Sequence, residues 1–240
     1  MAESAETFYG YHGVVLRVNL SQNKIVKEPI DNEFCRKYFG GPGFINYFLL
    51  HEVPCDTDPM SPGNKLIFAN GPLSGYSFPG AARHSVGAIS PLSNGIAKSE
   101  SGGYWGAQLK RSGFDAIIVE GKADRPVYLW VVNGDAEIRD AGSLWGKNTK
   151  ETVQTIRKEH GDDRISVSSI GPGGENLVSF ACIMNDFVDA AGRGGLGAVM
   201  GSKNLKAVAV RGTSLPPVKD ANGIKELVDW FKQNKKKVAA

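Results

Sequence analysis

Short apolar runs separated by turn residues follow one another along most of the chain. Runs of this kind predict β-strands, here at 13–20, 25–28, 65–69, 86–90, 95–98, 116–120, 127–132, 136–139, 165–170 and 206–210. Longer stretches with helical spacing predict helices, at 31–38, 44–50, 101–111, 151–160 and 220–237. Because strands outnumber helices and many are joined by turns, we expect an α+β fold with mainly antiparallel sheets.

The bulk composition is that of an ordinary globular protein with many turns. Of the 240 residues, 41% are hydrophobic and 22% are charged, which suits one large domain or two small ones. The 30 glycines predict many turns or ligand-facing loops. The sequence has no apolar run that could span a bilayer and no secretory leader, so we expect a cytoplasmic protein.

Charge and cysteine content disfavour several classes of site. The net charge of +3 is concentrated in residues 203–240, while the rest of the chain is slightly acidic. A basic tail on a near-neutral body argues against nucleic-acid binding as the main function. Cys35, Cys55 and Cys182 are widely spaced and form no CxxC motif. They predict buried thiols rather than a disulfide framework, a zinc site or an iron–sulfur site.

The most unusual stretch is the glycine-rich segment 190–201, which contains five glycines and Arg193. Glycine accepts positive φ, so such a loop can point several backbone N–H groups into one concavity. The guanidinium of Arg193 adds a fork that fits phosphate bidentately. The residues alone leave two interpretations open, which are an anion site and a tight turn packed against a neighbouring strand.

The same segment contains Gly192-x-Gly194-x-x-Gly197, the letters of the dinucleotide-binding fingerprint. That fingerprint requires a strand ending at its first glycine and a long crossover helix after it. Here the preceding apolar run, 180–184, ends too early, and the strand at 206–210 begins too soon. A nicotinamide or flavin site of the Rossmann type is therefore not expected.

His84 also leaves two interpretations open. Beside Arg83 and a run of small residues, it could hydrogen-bond a ligand, but as a strand residue it is more simply a structural histidine, which we favour. The other histidines, His12, His51 and His160, are scattered and form no metal-binding set.

Several motifs taken together resemble the N-terminal domain of the aldehyde ferredoxin oxidoreductase family over about residues 10–213. They are Gly71-Pro-Leu-Ser-Gly75, Arg83, Ser90-Pro-Leu92, and the segments 101–107, 114–122, 170–176 and 190–203, in the family's order. The resemblance implies two β-sheets with a pseudo-twofold relation, flanked by helices. It also implies a cofactor-binding domain at 10–213, with 214–240 as a linker and the start of a helix leading into a further domain.

Enzymes of this family carry tungsten, occasionally molybdenum, on two pyranopterin dithiolenes beside a [4Fe–4S] cluster. They oxidise aldehydes to carboxylates and pass the electrons to ferredoxin. By position, Arg83 and Arg193 would contact the pterins. The backbone around Glu100, Gly102, Ala190 and Gly192 would line them. Main-chain carbonyls of Glu100 and Ala190 would hold a magnesium ion that bridges the two pterin phosphates.

Two positions depart from the family's pattern. Well-known members have asparagine where this chain has Glu100, and arginine where it has Asp189. The first change is tolerable if only the carbonyl of residue 100 is used. The second replaces a phosphate partner with a carboxylate, which repels phosphate unless magnesium or a lysine intervenes. These changes indicate a divergent subfamily.

The family's cluster cysteines and substrate-pocket residues lie in later domains. We therefore expect this chain to be one part of a longer or split enzyme, and by itself to bind cofactor weakly without turnover. Expected partners are the remaining domains or a separate subunit, ferredoxin or another iron–sulfur acceptor, and a second copy in a homodimer, with neither nucleic acid nor a membrane span. Three alternatives stay open: a benzoyl-CoA reductase-type relative, a binding module without cofactor, and a phosphate or nucleotide binder.

Overall fold

A computed structural model describes residues 8–77 and 80–238. The strands within them are β1 (Val14–Asn19), β2 (Lys24–Pro29), β3 (Leu66–Asn70), β4 (His84–Ile89), β5 (Ile96–Ser101), β6 (Ala116–Glu120), β7 (Val127–Val132), β8 (Asp135–Asp140), β9 (Ser166–Ser169), β10 (Ile183–Asn185), β11 (Asp189–Ala191) and β12 (Leu205–Arg211). The helices are α1 (Asn32–Tyr38), α2 (Pro42–Glu52), α3 (Trp105–Arg111), α4 (Thr149–His160), α5 (Pro172–Glu175), α6 (Leu196–Ser202) and α7 (Ala221–Val238).

The strands form two six-stranded sheets that share one topology. Sheet 1 has the order β2-β1-β6-β3-β4-β5, and sheet 2, read from its far edge, has the order β8-β7-β12-β9-β10-β11. Adding six to each strand number of sheet 1 therefore gives sheet 2. Each sheet contains one parallel pair, β1 with β6 and β7 with β12, and its other pairs are antiparallel. The predicted α+β fold with two mainly antiparallel, pseudo-twofold related sheets is confirmed.

The main hydrophobic core lies between the two sheets and includes α3 and α6. Trp105 of α3 is fully buried, and its indole N–H donates to the carbonyl of Val208 in sheet 2 at 2.8 Å. Leu196 and Met200 of α6 belong to the same core. A second core lies between the outer face of sheet 1 and helices α1 and α2, and a third between the outer face of sheet 2 and α4. The two sheets are thus held together by a shared interior.

Local sequence signals explain most element boundaries. The Asp31 side chain caps α1, and Asn148 and Glu151 form a reciprocal capping box at the start of α4. The predicted helix 101–111 begins only at Trp105 because Gly103 adopts a positive φ of 77°. The prediction of buried thiols holds for Cys35 but is wrong for Cys55, which is exposed, and Cys182 is half-buried.

The sequence pattern did not predict β10, β11, α5 or α6. β10 and β11 have three residues each, too few for an alternating pattern, and α6 carries two glycines. α6 forms because it packs closely: a Cβ on Gly201 would lie 1.9 Å from the carbonyl oxygen of Gly174 in α5. The linker after β12 contacts the N-terminal part of the described chain, where the backbone N–H of Gly10 donates to the carbonyl of Pro217. The division of the chain at residue 213 stays a prediction.

A buried ion pair joins α3 to the start of β6 and to β1. The Lys110 ammonium lies 2.5 Å from the Asp115 carboxylate, and both side chains are fully buried. The carboxylate also accepts the backbone N–H groups of His12 and Gly13. Such a site is stable only while every charge keeps its partner.

Replacing Asp115 with alanine leaves the Lys110 charge buried without a counterion. We expect the free energy of unfolding to fall by about 3–5 kcal/mol. Lys27 and Asp135 form an exposed ion pair on the surface. Lys27→Ala should therefore change the free energy of unfolding by at most about 1 kcal/mol. Denaturant-induced unfolding measures both, and equal losses in the two variants would contradict this account.

Candidate functional site

The edge strands β5 and β11, one from each sheet, lie side by side. We call residues 99–103 and 189–194 the seam. The backbone N–H of Arg193 donates to the Ser99 hydroxyl across it at 3.1 Å. The Asp189 carboxylate lies against Gly102 and Gly103, close enough that a Cβ on Gly102 would be 3.1 Å from Oδ1. Two topologically equivalent edges therefore meet at one place.

The six residues expected to bind the cofactor all lie at the seam or beside it. Glu100 belongs to β5 and Ala190 to β11, and Gly102, Gly192 and Arg193 directly follow these strands. Arg83 directly precedes β4, whose residue Ser85 pairs with Glu100. All except Gly102, which is half-buried, are exposed. The structure thus brings together residues that are about 90 to 110 positions apart in the chain.

The charges at the seam are mixed. Glu100 forms an ion pair with Lys98 at 2.7 Å. Its pKa lies below the usual value, mainly because it accepts a hydrogen bond from Lys98, with a smaller contribution from the charge of Arg83. On β5 the side chains of Ser99 and Ser101 are buried whereas those of Lys98 and Glu100 are exposed. The Glu100 carboxylate therefore lies on the outer face of the strand, away from the space between the sheets.

The glycine-rich segment divides into two parts with different roles. A Cβ on Gly192 would meet no atom within 4 Å, so its backbone borders open space. A Cβ on Gly195 would lie 2.0 Å from the Ser179 carbonyl oxygen, and one on Gly197 would lie 2.4 Å from that of Cys182. The close-packing interpretation is therefore correct for 195–201, while Gly192 and Arg193 leave backbone and guanidinium open to a ligand.

Asp189 is the feature that fits an anionic ligand least well. Its carboxylate occupies the space above Gly102 and Gly103, where glycine would otherwise leave the backbone open. Arg83 and Arg193 supply positive charge to the same site, and a divalent cation would reduce the repulsion further. Among the described residues, no group of three or more His, Cys, Asp or Glu side chains converges as a ready metal site.

His84 faces the interior rather than the seam surface. Its ring is 2% exposed and lies 4.6 Å from the Trp105 ring, centroid to centroid. Nε2 lies 3.5 Å from the side-chain nitrogen of Asn185 in sheet 2. Burial lowers the pKa of His84 to about 3, so the ring is neutral at physiological pH. This placement favours the structural interpretation over direct contact with a surface ligand.

Residues 15–212 match the family model described as aldehyde ferredoxin oxidoreductase, N-terminal domain. The chain belongs to the aldehyde ferredoxin oxidoreductase family. The resemblance drawn from the motifs is thereby confirmed. In the part of the chain that the structure describes, no helix combines the length and apolar character needed to cross a membrane.

Relatives in this family include tungsten-containing enzymes. The tungsten-containing aldehyde ferredoxin oxidoreductase of Pyrococcus furiosus is 53% identical over 88% of this chain and 35% of its own length. That of Thermococcus kodakarensis is 49% identical over 88% of this chain. The WOR-like subunit of an aliphatic sulfonate oxidoreductase of P. furiosus is 40% identical over 93% of the chain and 38% of its own length.

A solved structure shares the fold. The active site complex of benzoyl coenzyme A reductase with 1,5-dienoyl-CoA superposes with a TM-score of 0.90 at 40% identity, over 95% of this chain and 35% of that one. The chain thus spans only about a third of the length of the relatives and of the solved structure that it matches.

The buried His84 predicts a defined acid sensitivity. Its pKa is about 3 when folded and 6.5 when unfolded, so between these values the unfolded state binds more protons. Stability should therefore fall as the pH is lowered from 6.5 towards 3, with a His84 contribution of about 2 kcal/mol at pH 5.

Unfolding free energies of the wild type and His84→Gln at pH 5 and pH 7 measure this contribution. The variant should lose less stability between these pH values than the wild type. His51→Gln, at an exposed histidine of α2, should behave like the wild type. A His84→Gln variant with the wild-type pH dependence would refute the assignment.

Proposed function

We propose that this chain is the cofactor-binding floor of a tungsten-dependent aldehyde:ferredoxin oxidoreductase. The observation that carries the proposal is the seam. Two equivalent sheet edges meet there, with an exposed arginine beside each and with side-chain-free backbone at Gly192. A cofactor with two similar pterin halves suits a floor with two similar edges. The names of the tungsten-containing relatives also support a tungsten cofactor.

The residues of the seam fit such a cofactor. Arg83 and Arg193 can each bind a phosphate group through two parallel N–H donors. The open space at Gly192 admits a flat ring system close to the backbone. Main-chain carbonyls of Glu100 and Ala190 are hard oxygen ligands that suit magnesium. Magnesium would also offset the charge of Asp189, and Lys98 already neutralises Glu100.

In this proposal the chain's own residues bind and orient, and they transfer no proton or electron themselves. The arginines hold the phosphate ends and Gly102 and Gly192 support the rings. When bound, the tungsten bis-pterin would supply the two-electron oxidation of an aldehyde to a carboxylate. A [4Fe–4S] cluster on residues outside this chain would carry the electrons to ferredoxin. We further propose a cytoplasmic enzyme, with a homodimer as its assembly.

A second candidate is the same domain of a benzoyl-CoA reductase-type enzyme. The structural neighbour at 40% identity and a TM-score of 0.90 favours it. The two candidates share the floor, and the residues that would choose the substrate lie outside this chain. A binding module without cofactor is the third outcome, for which Glu100 and Asp189 are the supporting features.

Metal and pterin analysis tests the proposal. The chain is combined with the remaining two thirds of the relatives' length, as one polypeptide or as a separate subunit. We expect tungsten, magnesium and two pterins per active site, with aldehyde oxidation coupled to ferredoxin. Activity with an aromatic acyl-CoA instead would select the second candidate. A folded preparation without tungsten or molybdenum and without pterin would leave the binding module and the phosphate or nucleotide binder.

The two arginines should be required for retention of the cofactor. Arg83→Ala and Arg193→Ala each remove a phosphate contact worth about 1.5–3 kcal/mol, so pterin should dissociate at least tenfold more readily. Arg125→Ala is the control, because Arg125 is exposed and pairs with Asp140 of β8, at the opposite edge of sheet 2 from β11. Wild-type pterin content in both the Arg83→Ala and the Arg193→Ala variant would contradict the assignment.

Gly192→Val separates ligand exclusion from folding. The new side chain would enter open space, so the thermal midpoint should change little while pterin content falls strongly. Gly63→Val is the matched control, because a Cβ there meets only ordinary van der Waals contacts. Gly63 precedes the start of β3, whereas Asn70 is the last residue of that strand, so the control lies at the other end of β3. Pterin fluorescence of denatured samples measures the loss. Full pterin content in a stable Gly192→Val variant would show that no ligand lies over this backbone.

A further inference from the structure

A row of polar side chains lines the inner face of sheet 1 directly behind the seam. Asn70, His84 and Ser101 are cross-strand partners on β3, β4 and β5. Partners in antiparallel strands share a face, and the next residues of that face, Phe68 and Val86, belong to the core between the sheets. The polar row therefore faces sheet 2, although its members are almost completely buried.

Sheet 2 presents a matching row. Ser168, Asn185 and Asp189 are cross-strand partners on β9, β10 and β11. Ser168 pairs with Val208, which belongs to the core between the sheets, so this row faces the first one. His84 and Asn185 make the contact between the two rows. A polar compartment thus lies between the sheets, and Asp189 marks its outer end at the seam.

The hydrogen bonds inside this compartment leave a specific set of groups unpaired. The Asn185 side-chain oxygen accepts from the Ser168 hydroxyl at 2.8 Å, so its N–H₂ group faces Nε2 of His84. With this orientation of the amide, Nε2 is assigned as the acceptor and Nδ1 as the nitrogen that carries the proton of the neutral ring. Nδ1 has no partner among the described residues, nor have Oδ1 of Asn70 and Oγ of Ser101.

These three atoms are complementary. One is a donor, one is an acceptor and the hydroxyl is both. The Nδ1 side of the ring faces Gly106, where a Cβ would lie only 3.1 Å from Nδ1, so the absence of a side chain there is what keeps Nδ1 accessible. The Asn70 amide donates to the carbonyl of the same Gly106 at 3.0 Å, so Asn70 and His84 meet at this residue. Buried water molecules occupy such places, where two to four polar groups converge. Among the residues that the structure describes, no protein group fills that role.

We propose that Asn70, His84 and Ser101 bind an internal water molecule, and that this water site is the inner support of the seam. Ser101 lies between Glu100 and Gly102, so a water held by its hydroxyl fixes the backbone on both sides of it. His84 is thereby a positioning residue, neutral and protonated at Nδ1. The support of the cofactor rests on the proposed function, whereas the water site itself does not.

The water site is tested without cofactor by paired serine variants. Ser101→Ala removes a partner of the water and should lower the folding equilibrium constant about fivefold to tenfold. Ser169→Ala is the matched control, because its hydroxyl is also buried and unpartnered but pairs in register with Ala207 on the opposite face of sheet 2. Ser169→Ala should be neutral or stabilising. Equal effects of the two variants would overturn the proposal.

Nuclear magnetic resonance of ¹⁵N-histidine-labelled protein provides a readout that packing alone does not change. The expected His84 signals are those of the neutral Nδ1–H tautomer, unchanged from pH 5 to pH 8, with a cross-peak between Nδ1–H and water. A proton on Nε2, or a missing water cross-peak in a folded sample, would overturn the proposal.

The link to the seam is tested in the combined preparation described above. The two variants are compared at denaturant concentrations that lie equally far below their own unfolding midpoints, so that both are equally folded. Under these conditions Ser101→Ala should retain less pterin than Ser169→Ala. Equal retention would refute the supporting role. Absence of pterin from the wild type as well would instead refute the proposed function, and the water site would still be judged by the two preceding experiments.

Discussion

The structure depends on the burial of one apolar interior between two sheets of identical topology. Strands of both sheets and the helices α3 and α6 form that interior. The indole N–H of Trp105 in α3 donates to the backbone carbonyl of Val208 in sheet 2. When two such units pack through equivalent faces, equivalent edges meet. The contact of β5 with β11 is therefore a consequence of the core, and the seam needs no separate stabilisation from its own exposed residues.

This arrangement explains why sites for a ligand and positions for close packing alternate within a few residues. The turn after β11 must leave the sheet, carry exposed backbone at Gly192, and then enter α6 between the sheets. Glycine is needed in both parts for different reasons. At Gly192 it leaves space for a ligand, and at Gly195 and Gly197 it allows backbone to touch backbone.

The charged residues at the seam differ from the pattern expected of the family. Asp189 lies over the glycines that follow β5, and Glu100 is paired with Lys98. A site with two arginines, one lysine and two carboxylates attracts phosphate less than arginines alone would. A bridging magnesium ion would restore the balance. If this chain binds the proposed cofactor, we therefore expect the binding to depend on a divalent cation.

The fold could be predicted from the sequence where patterns are long and apolar. Strands β6 and β7 begin and end where the predicted runs do, because all their residues except the last are buried on both faces of the sheet. β11 was missed because its three residues are too few to show a pattern, and α6 was missed because close backbone contacts at its glycines, not local preferences, hold it. Motif resemblance indicated the six residues beside the seam. The polar rows behind it could not be predicted, because only the strand registers bring Asn70, His84 and Ser101 together.

The most direct test of the account is the position of the metal. Anomalous diffraction at the tungsten absorption edge, on crystals of the combined preparation, locates the metal relative to the two sheets. The account predicts a single strong peak above the seam, on the side of Arg83, Gly192 and Arg193. A peak that lies against another face of this chain, with the seam covered by protein alone, would contradict it.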